Sequence, residues 1–224
     1  MAVQLHEQAR SLVQPLSGTF IAHQRRRFRA GAARRGSRHV IVDFNSMSSE
    51  MNAEDIYMLS MIVTVDRNWA ISKDHKQLIS IPEDTKFVRD ITYGEVMIVG
   101  RHTFEHTYNG KVLPNRTTII VTKENNYEPV GAIVVHSAKE ALIKAEETGR
   151  KIYVIGGKKL YEEYMPQCDE IHVTWVDYAY SADSFFPNLD KLPEWVMIDE
   201  SEEQTHFDVV YYYRRYVKRK DYRA

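Results

Sequence analysis

The chain has 224 residues, of which 43% are hydrophobic, 27% charged and 11% aromatic, and its 30 Lys and Arg nearly cancel its 31 Asp and Glu. This balance excludes collagen-like, mucin-like and wholly disordered chains, and it suits one sizeable core without requiring two full domains. No apolar run approaches the ~20 residues of a membrane-spanning helix, and the single cysteine, Cys168, has no intrachain disulfide partner, which points to a reducing, cytoplasmic setting.

Near-neutrality hides an uneven distribution. Residues 1–50 carry eight arginines, no lysine and three acids, whereas the remainder carries 22 Lys plus Arg against 28 Asp plus Glu. Segment 1–57 is therefore read as an Arg-rich disordered extension, with too little apolar surface to offset its ordering entropy. Three roles compete for it. It is an extension without function, with Met47, Met51, Met58 and Met61 as alternative starts, or a targeting peptide, or a nucleic-acid contact through Arg25–Arg38. The first is favoured, and nucleic acid is not an expected partner.

Residues 58–220 read as one α/β domain. Ser60–Val65 is a buried strand, and Asp66–Ile81 is mixed and polar, which predicts a long loop. Pro82-Glu83-Asp84 opens a helix, with Phe87, Val88 and Ile91 at helical spacing. Strands follow at Glu95–Val99, Thr117–Thr122, Ala132–Val135, Lys151–Ile155 and Glu170–Val176, with helices at Arg101–Thr107, from Ser137 to about Thr148, and at Lys158–Met165. Alternating stretches near Trp195–Ile198 and Phe207–Tyr216 predict a closing antiparallel pair. The expected fold is a mainly parallel sheet of about eight strands with flanking helices and an antiparallel C-terminal strand, in a monomer.

In open α/β sheets ligands bind at the carboxyl ends of strands. Two strand ends carry suitable groups: Val99-Gly100-Arg101-His102-Thr103 and Ile155-Gly156-Gly157-Lys158-Lys159. Each combines glycine, which allows close backbone approach, with a helix start and cationic or hydroxyl side chains suited to phosphate. Either alone is routine turn chemistry; the pair in one small sheet suggests a dinucleotide. Thr122-Lys123 ends a third strand and offers a further phosphate contact. Asp84 stands in the first turn of its helix, where a solvent-facing acid beside the dipole is the ordinary outcome. Turned inward, it is a specific partner for an amidine-like group. Periodicity does not choose between these. A metal site is not expected, because Cys168 has no ligand-spaced partner.

These residues resemble the bacterial dihydrofolate reductase family. The likeness runs in order through Val65-Asp66-Arg67-Asn68, Ile81-Pro82-Glu83-Asp84, Val99-Gly100-Arg101-His102-Thr103, Leu113-Pro114-Asn115-Arg116, Ile155-Gly156-Gly157 with Tyr161, Val173-Thr174 and Phe186-Pro187. Each motif is weak by itself; the ordered set is specific. The resemblance implies NADPH-dependent reduction of 7,8-dihydrofolate to 5,6,7,8-tetrahydrofolate. It makes Asp84 the pocket carboxylate on the pterin and Thr174 the hydroxyl bonded to it. Arg116 then clamps the glutamate tail, and Ile62, Val63, Thr64, Val88 and Ile155 line the substrate pocket. The implied cofactor contacts are Thr64, Ile71, Gly100, Arg101, His102, Thr103, Thr122, Lys123, Ile155, Gly156, Gly157, Lys158, Lys159, Leu160 and Tyr161, with Arg101 and Lys123 near the 2′-phosphate and the glycine pair cis-linked under the pyrophosphate.

Departures from the family pattern also matter. Leu78-Ile79 stand where the mobile loop usually has Pro-Trp, Val88 stands where a pocket Phe is usual, and Ser72 replaces a loop glycine. These predict weak binding of trimethoprim-like diaminopyrimidines with folate turnover retained. The alternatives are a riboflavin-pathway aminopyrimidine reductase of the same fold and a non-catalytic NADPH-binding protein. Asp84, Thr174 and Arg116 speak against the first of these.

Overall fold

The computed structural model describes residues 59–219. The Arg-rich segment and its three competing roles lie outside the described residues. Leu59–Val65 forms β1, with every residue but Thr64 buried, as suits a parallel strand covered on both faces. After it come Ala70–Lys73 (β2), Lys76–Gln77 (β3), Pro82–Ile91 (α1), Val96–Gly100 (β4), Arg101–Thr107 (α2), Thr117–Val121 (β5) and Ile133–Val135 (β6). Ala138–Glu146 (α3), Ile152–Val154 (β7), Lys158–Tyr164 (α4), Glu170–Val176 (β8), Ser184–Phe185 (β9), Trp195–Glu200 (β10), Gln204–His206 (β11) and Val209–Lys218 (β12) complete the order.

Nine strands form the main sheet, in the order β10-β12-β8-β1-β7-β4-β5-β6, with β11 paired to β12. The six strands from β8 to β6 are all parallel. At the C-terminal side β12 runs antiparallel to β8 and is itself flanked by β10 and β11. The mainly parallel α/β architecture is thus as expected, with three antiparallel strands closing it rather than one pair.

Alternation along β1 divides the core. Met61 and Val63 face a cluster that includes Ala138, Ala141 and Ala145 of α3 and Leu160 and Tyr164 of α4. Ile62 faces the other side, with Val88 of α1 and Phe104 of α2. Small alanines at helical spacing let α3 lie close to the sheet. Its start is fixed by Ser137, whose hydroxyl accepts from the Glu140 N–H at 3.1 Å.

The expected loop over Asp66–Ile81 needs correction. It contains β2 and β3, which join β9 in a separate three-stranded antiparallel sheet. Strands of two to four residues are too short to show a period, and here the partner lies more than a hundred residues away. The turn into this hairpin is organised by Asp66, whose buried carboxylate accepts from the N–H groups of Asn68 (2.7 Å), Ala70 (2.9 Å) and Tyr180 (2.8 Å).

Candidate active site

Parallel pairing places the C-terminal ends of β1, β7 and β4 side by side, and this edge opens on a cleft of about 420 Å³, within the usual range for small-molecule sites. Ile62, Val63 and Thr64 of β1 form part of its floor, α1 contributes Asp84 and Val88, and α2 contributes Thr103. The β2–β3 hairpin brings Ile71, Ser72 and His75 to it, and Ile155, Gly157, Lys158 and Tyr161 complete the opposite wall.

Helix α1 turns its two first-turn acids in opposite directions. Glu83 is exposed and faces His206 at 3.3 Å. Asp84 is 5% exposed and points inward. Thr174 Oγ1 donates to its Oδ1 at 2.6 Å and Thr64 Oγ1 to its Oδ2 at 2.8 Å. Those threonines are direct neighbours in the parallel β1–β8 register, so a single strand pairing grips both carboxylate oxygens. Among the described residues no ion pair reaches Asp84. Burial raises its pKa, while the hydroxyls of Thr174 and Thr64 act in the opposite sense. The result is a carboxyl that keeps its proton to higher pH than an exposed aspartate.

The Thr64 bond to Asp84 is one that sequence reasoning missed, since Thr64 was read as a pocket-lining residue and a cofactor contact. A hydroxyl inside an otherwise apolar buried run was the available signal. Tyr108 was also missed. It follows α2, lines the cleft, and packs against the cluster that holds Val88. Burial and the charge of Asp84 push its phenol pKa up. An aromatic surface is therefore supplied to the cleft from the end of α2, while the apolar residue that α1 brings to it is Val88. Ile79 lines the cleft as well, and packs beside Ile81.

The two glycine-bearing strand ends meet. Gly100 N donates to Gly156 O at 2.7 Å, because β4 and β7 are neighbours. The Gly156–Gly157 peptide is cis. Gly156 has φ +100°, and a Cβ there would lie 2.8–2.9 Å from the Tyr161 ring; one on Gly157 would lie 3.2 Å from Thr103 Oγ1. Side chains are therefore excluded from this cradle, and bare backbone borders the cleft, as a pyrophosphate requires. Tyr161 is anchored by donating its hydroxyl to Ile62 O at 2.7 Å. Leu160 packs in the core beneath Gly100, Lys158 lies 3.9 Å from Glu162, and Lys159 is exposed.

Arg101 is half-buried and flanked by Glu105 at 3.1 Å and Glu124 at 2.8 Å. His102 stacks on His75 with ring centroids 5.0 Å apart and on His106 at 6.3 Å. His102 and His106 stand four residues apart on α2, on one face of the helix. Among the described residues, no group of three or more His, Cys, Asp or Glu is arranged to hold a metal ion. Thr122 is buried at the end of β5 and Lys123 is exposed. Arg116 is held by Thr92, which accepts from its Nη1 at 2.6 Å, and by the Pro114 carbonyl, which accepts from its Nε at 3.1 Å. It lies within electrostatic range of Tyr108.

A family model described as dihydrofolate reductase matches residues 58–218. The chain is similar to a dihydrofolate reductase of Bacillus subtilis, with 33% identity over 145 residues that cover 65% of this chain and 84% of the relative. It is similar to that of Staphylococcus haemolyticus at 30% identity over 162 residues, covering 70% of this chain and 94% of the relative. Among solved structures, dihydrofolate reductase from Enterococcus faecalis complexed with NADP(H) and RAB-propyl superposes with a TM-score of 0.65 at 29% identity, covering 73% of this chain and 97% of that one.

Proposed function

The chain belongs to the dihydrofolate reductase family, and from that membership we propose how its own residues divide the reduction of 7,8-dihydrofolate to 5,6,7,8-tetrahydrofolate. It is an NADPH-dependent oxidoreductase. Bound NADPH supplies the hydride that C6 of the pterin receives; the protein must orient the ring, exclude water and let a proton reach N5.

The observation that carries the assignment is Asp84, a buried carboxyl held by two hydroxyls and, among the described residues, in no ion pair. Ionised, such a group accepts two parallel hydrogen bonds from the pterin 2-amino group and N3; protonated, the state its raised pKa favours, it holds a proton for N5. Thr174 and Thr64 hold both oxygens in position. Ile62, Val88 and Ile155 make the surroundings apolar, which excludes competing water. Arg116 binds the carboxylate of the glutamate tail through a guanidinium already aimed by Thr92 and Pro114. Arg101 with Thr103 serves the cofactor phosphates, and the Gly156–Gly157 backbone lies under the pyrophosphate.

Residues 58–220 are the catalytic domain in this reading, and the Arg-rich segment 1–57 is dispensable for turnover. The enzyme is a cytoplasmic monomer that does not bind nucleic acid. In support, Cys168 is a buried free thiol, and the three most exposed large apolar residues, Val130, Phe207 and Tyr93, belong to separate turns. Among the described residues no helix is long and apolar enough to cross a membrane.

The test is the loss of NADPH absorbance on adding dihydrofolate to the full chain and to residues 51–224. Equal turnover in both is expected. Folded proteins that bind NADPH without turnover would replace this reading with a non-catalytic one. The same assay with trimethoprim tests the pocket. Val88 in place of an aromatic, with Leu78-Ile79 in the loop, predicts inhibition weaker than nanomolar.

A further inference from the structure

Arg101 offers five guanidinium N–H donors, and carboxylates already engage both its Nη1 and its Nη2. Its Nη1 donates to Glu105 Oε1 at 3.3 Å and Oε2 at 3.1 Å, and its Nη2 lies 2.8 Å from Glu124 Oε1. The Tyr127 ring lies 5.9 Å from the guanidinium, and the Arg101 side chain is only 21% exposed. The two acids differ in kind. Glu105 is one helical turn beyond Arg101 on α2, an intrahelical partner. Glu124 comes from the turn after β5, where its N–H donates to Thr122 Oγ1 at 3.1 Å, and its side chain is 56% exposed. Two carboxylates share the one guanidinium, and Lys123 is the adjacent exposed cation.

We infer that Glu124 sets cofactor specificity: by pairing with Arg101 it weakens selection for a 2′-phosphate and offers the 2′-hydroxyl of NADH an acceptor, so that the site takes both dinucleotides. The inference rests on the proposed role of Arg101 at the cofactor phosphates. In dinucleotide sites an acid on the ribose 2′-hydroxyl serves NAD, and an arginine serves the 2′-phosphate of NADP. This site holds both, joined in a single ion pair. A 2′-phosphate dianion must displace the Glu124 carboxylate or lie beside it, and either course reduces affinity. A neutral 2′-hydroxyl meets no such repulsion and donates to the carboxylate.

Calorimetric titration of the full chain with adenosine 2′,5′-bisphosphate and with 5′-AMP at one salt concentration separates these effects, alongside fluorescence titration with NADPH and NADH. Glu124→Gln is expected to tighten adenosine 2′,5′-bisphosphate and NADPH by about five- to twenty-fold. It should leave 5′-AMP within about twofold and weaken NADH by a few-fold. Arg101→Ala is expected to weaken the bisphosphate about tenfold or more. If Arg101→Ala weakens it but Glu124→Gln changes nothing, the inference about Glu124 fails and the role of Arg101 stands. If Arg101→Ala also changes nothing, the assignment of Arg101 to the 2′-phosphate fails, and the inference falls with it.

Discussion

At one end of the β1–β8 pair Ser60 stands opposite Glu170, and at the other Thr64 stands opposite Thr174, which with Thr64 holds Asp84. The two ends are four residues apart on the same face, about 13 Å along the strand. Both carboxylates are buried, at 8% and 5% exposure, and both receive a hydroxyl from β1. Their proton affinities nevertheless move in opposite directions. Glu170 has its pKa lowered, first by His172 and further by Arg215, against the effect of burial. Asp84 has its pKa raised, because burial is opposed only by hydroxyls. The difference comes first from His172, two residues along β8 from Glu170, and then from β12, whose antiparallel register puts Arg215 beside His172 at one end and Tyr213 beside Thr174 at the other. Burial therefore does not by itself decide what a carboxyl does. A nearby cation makes it a structural anion, and the lack of one leaves a proton-holding group.

Removing the Asp84 charge is the largest perturbation of this contrast. Asp84→Asn is expected to lower kcat/KM for dihydrofolate by about 10²–10⁴-fold, the usual scale for losing an acid–base group. Stability should not fall. A folded-state pKa above the unfolded value contributes stability below the unfolded pKa and loses it as pH rises through the folded one, so at neutral pH Asn removes a penalty. Urea unfolding at neutral pH checks this, and a less stable variant would contradict the account of Asp84.

Thr174→Val tests the hydroxyl grip. Loss of this buried bond is expected to reduce kcat/KM about tenfold. The removed hydroxyl favoured the ionised form, so the pKa of Asp84 rises further. The fall in rate on the alkaline side should therefore begin at higher pH than in the parent, which a pH–rate profile reads directly.

At the other end the outcome inverts. Glu170→Gln is expected to keep turnover within about twofold and to lower stability by about 1–2 kcal/mol at neutral pH, since its contacts to His172, Arg215 and Ser60 are all long, at 3.4 Å. A depressed carboxylate pKa contributes stability above the unfolded value and loses it as pH falls through the folded one. The stability curves of parent and variant should thus converge in acid. Ser60→Ala should have the smallest effect, below about 1 kcal/mol, because a 3.4 Å hydroxyl contact is weak.

Much of the architecture was legible in the sequence. The β-branched runs mark strands of the parallel sheet, Pro82 marks the start of α1, and Ser137 marks that of α3, since each signal acts within a few residues of its effect. Gly156-Gly157 and Val99-Gly100 were legible only as a pair, since either strand end alone is routine turn chemistry. The small sheet of β2, β3 and β9 was not legible, because its strands are shorter than a period and Ser184–Phe185 lie far along the chain. Glu124 was equally hidden: nothing in its own neighbourhood signals that β5 ends beside Arg101.

Sequence by itself determined the α/β class, the strand ends that carry glycine and cation, and the family through an ordered set of motifs. Only the tertiary structure decided that Asp84 turns inward while Glu83 turns out, that Thr64 joins Thr174 on the carboxylate, and that Arg101 is shared by two acids. The physical reason is range. Turns, caps and periodicity act over a few residues, whereas the state of a charge depends on every element packed against it, and those elements meet only when the sheet is assembled.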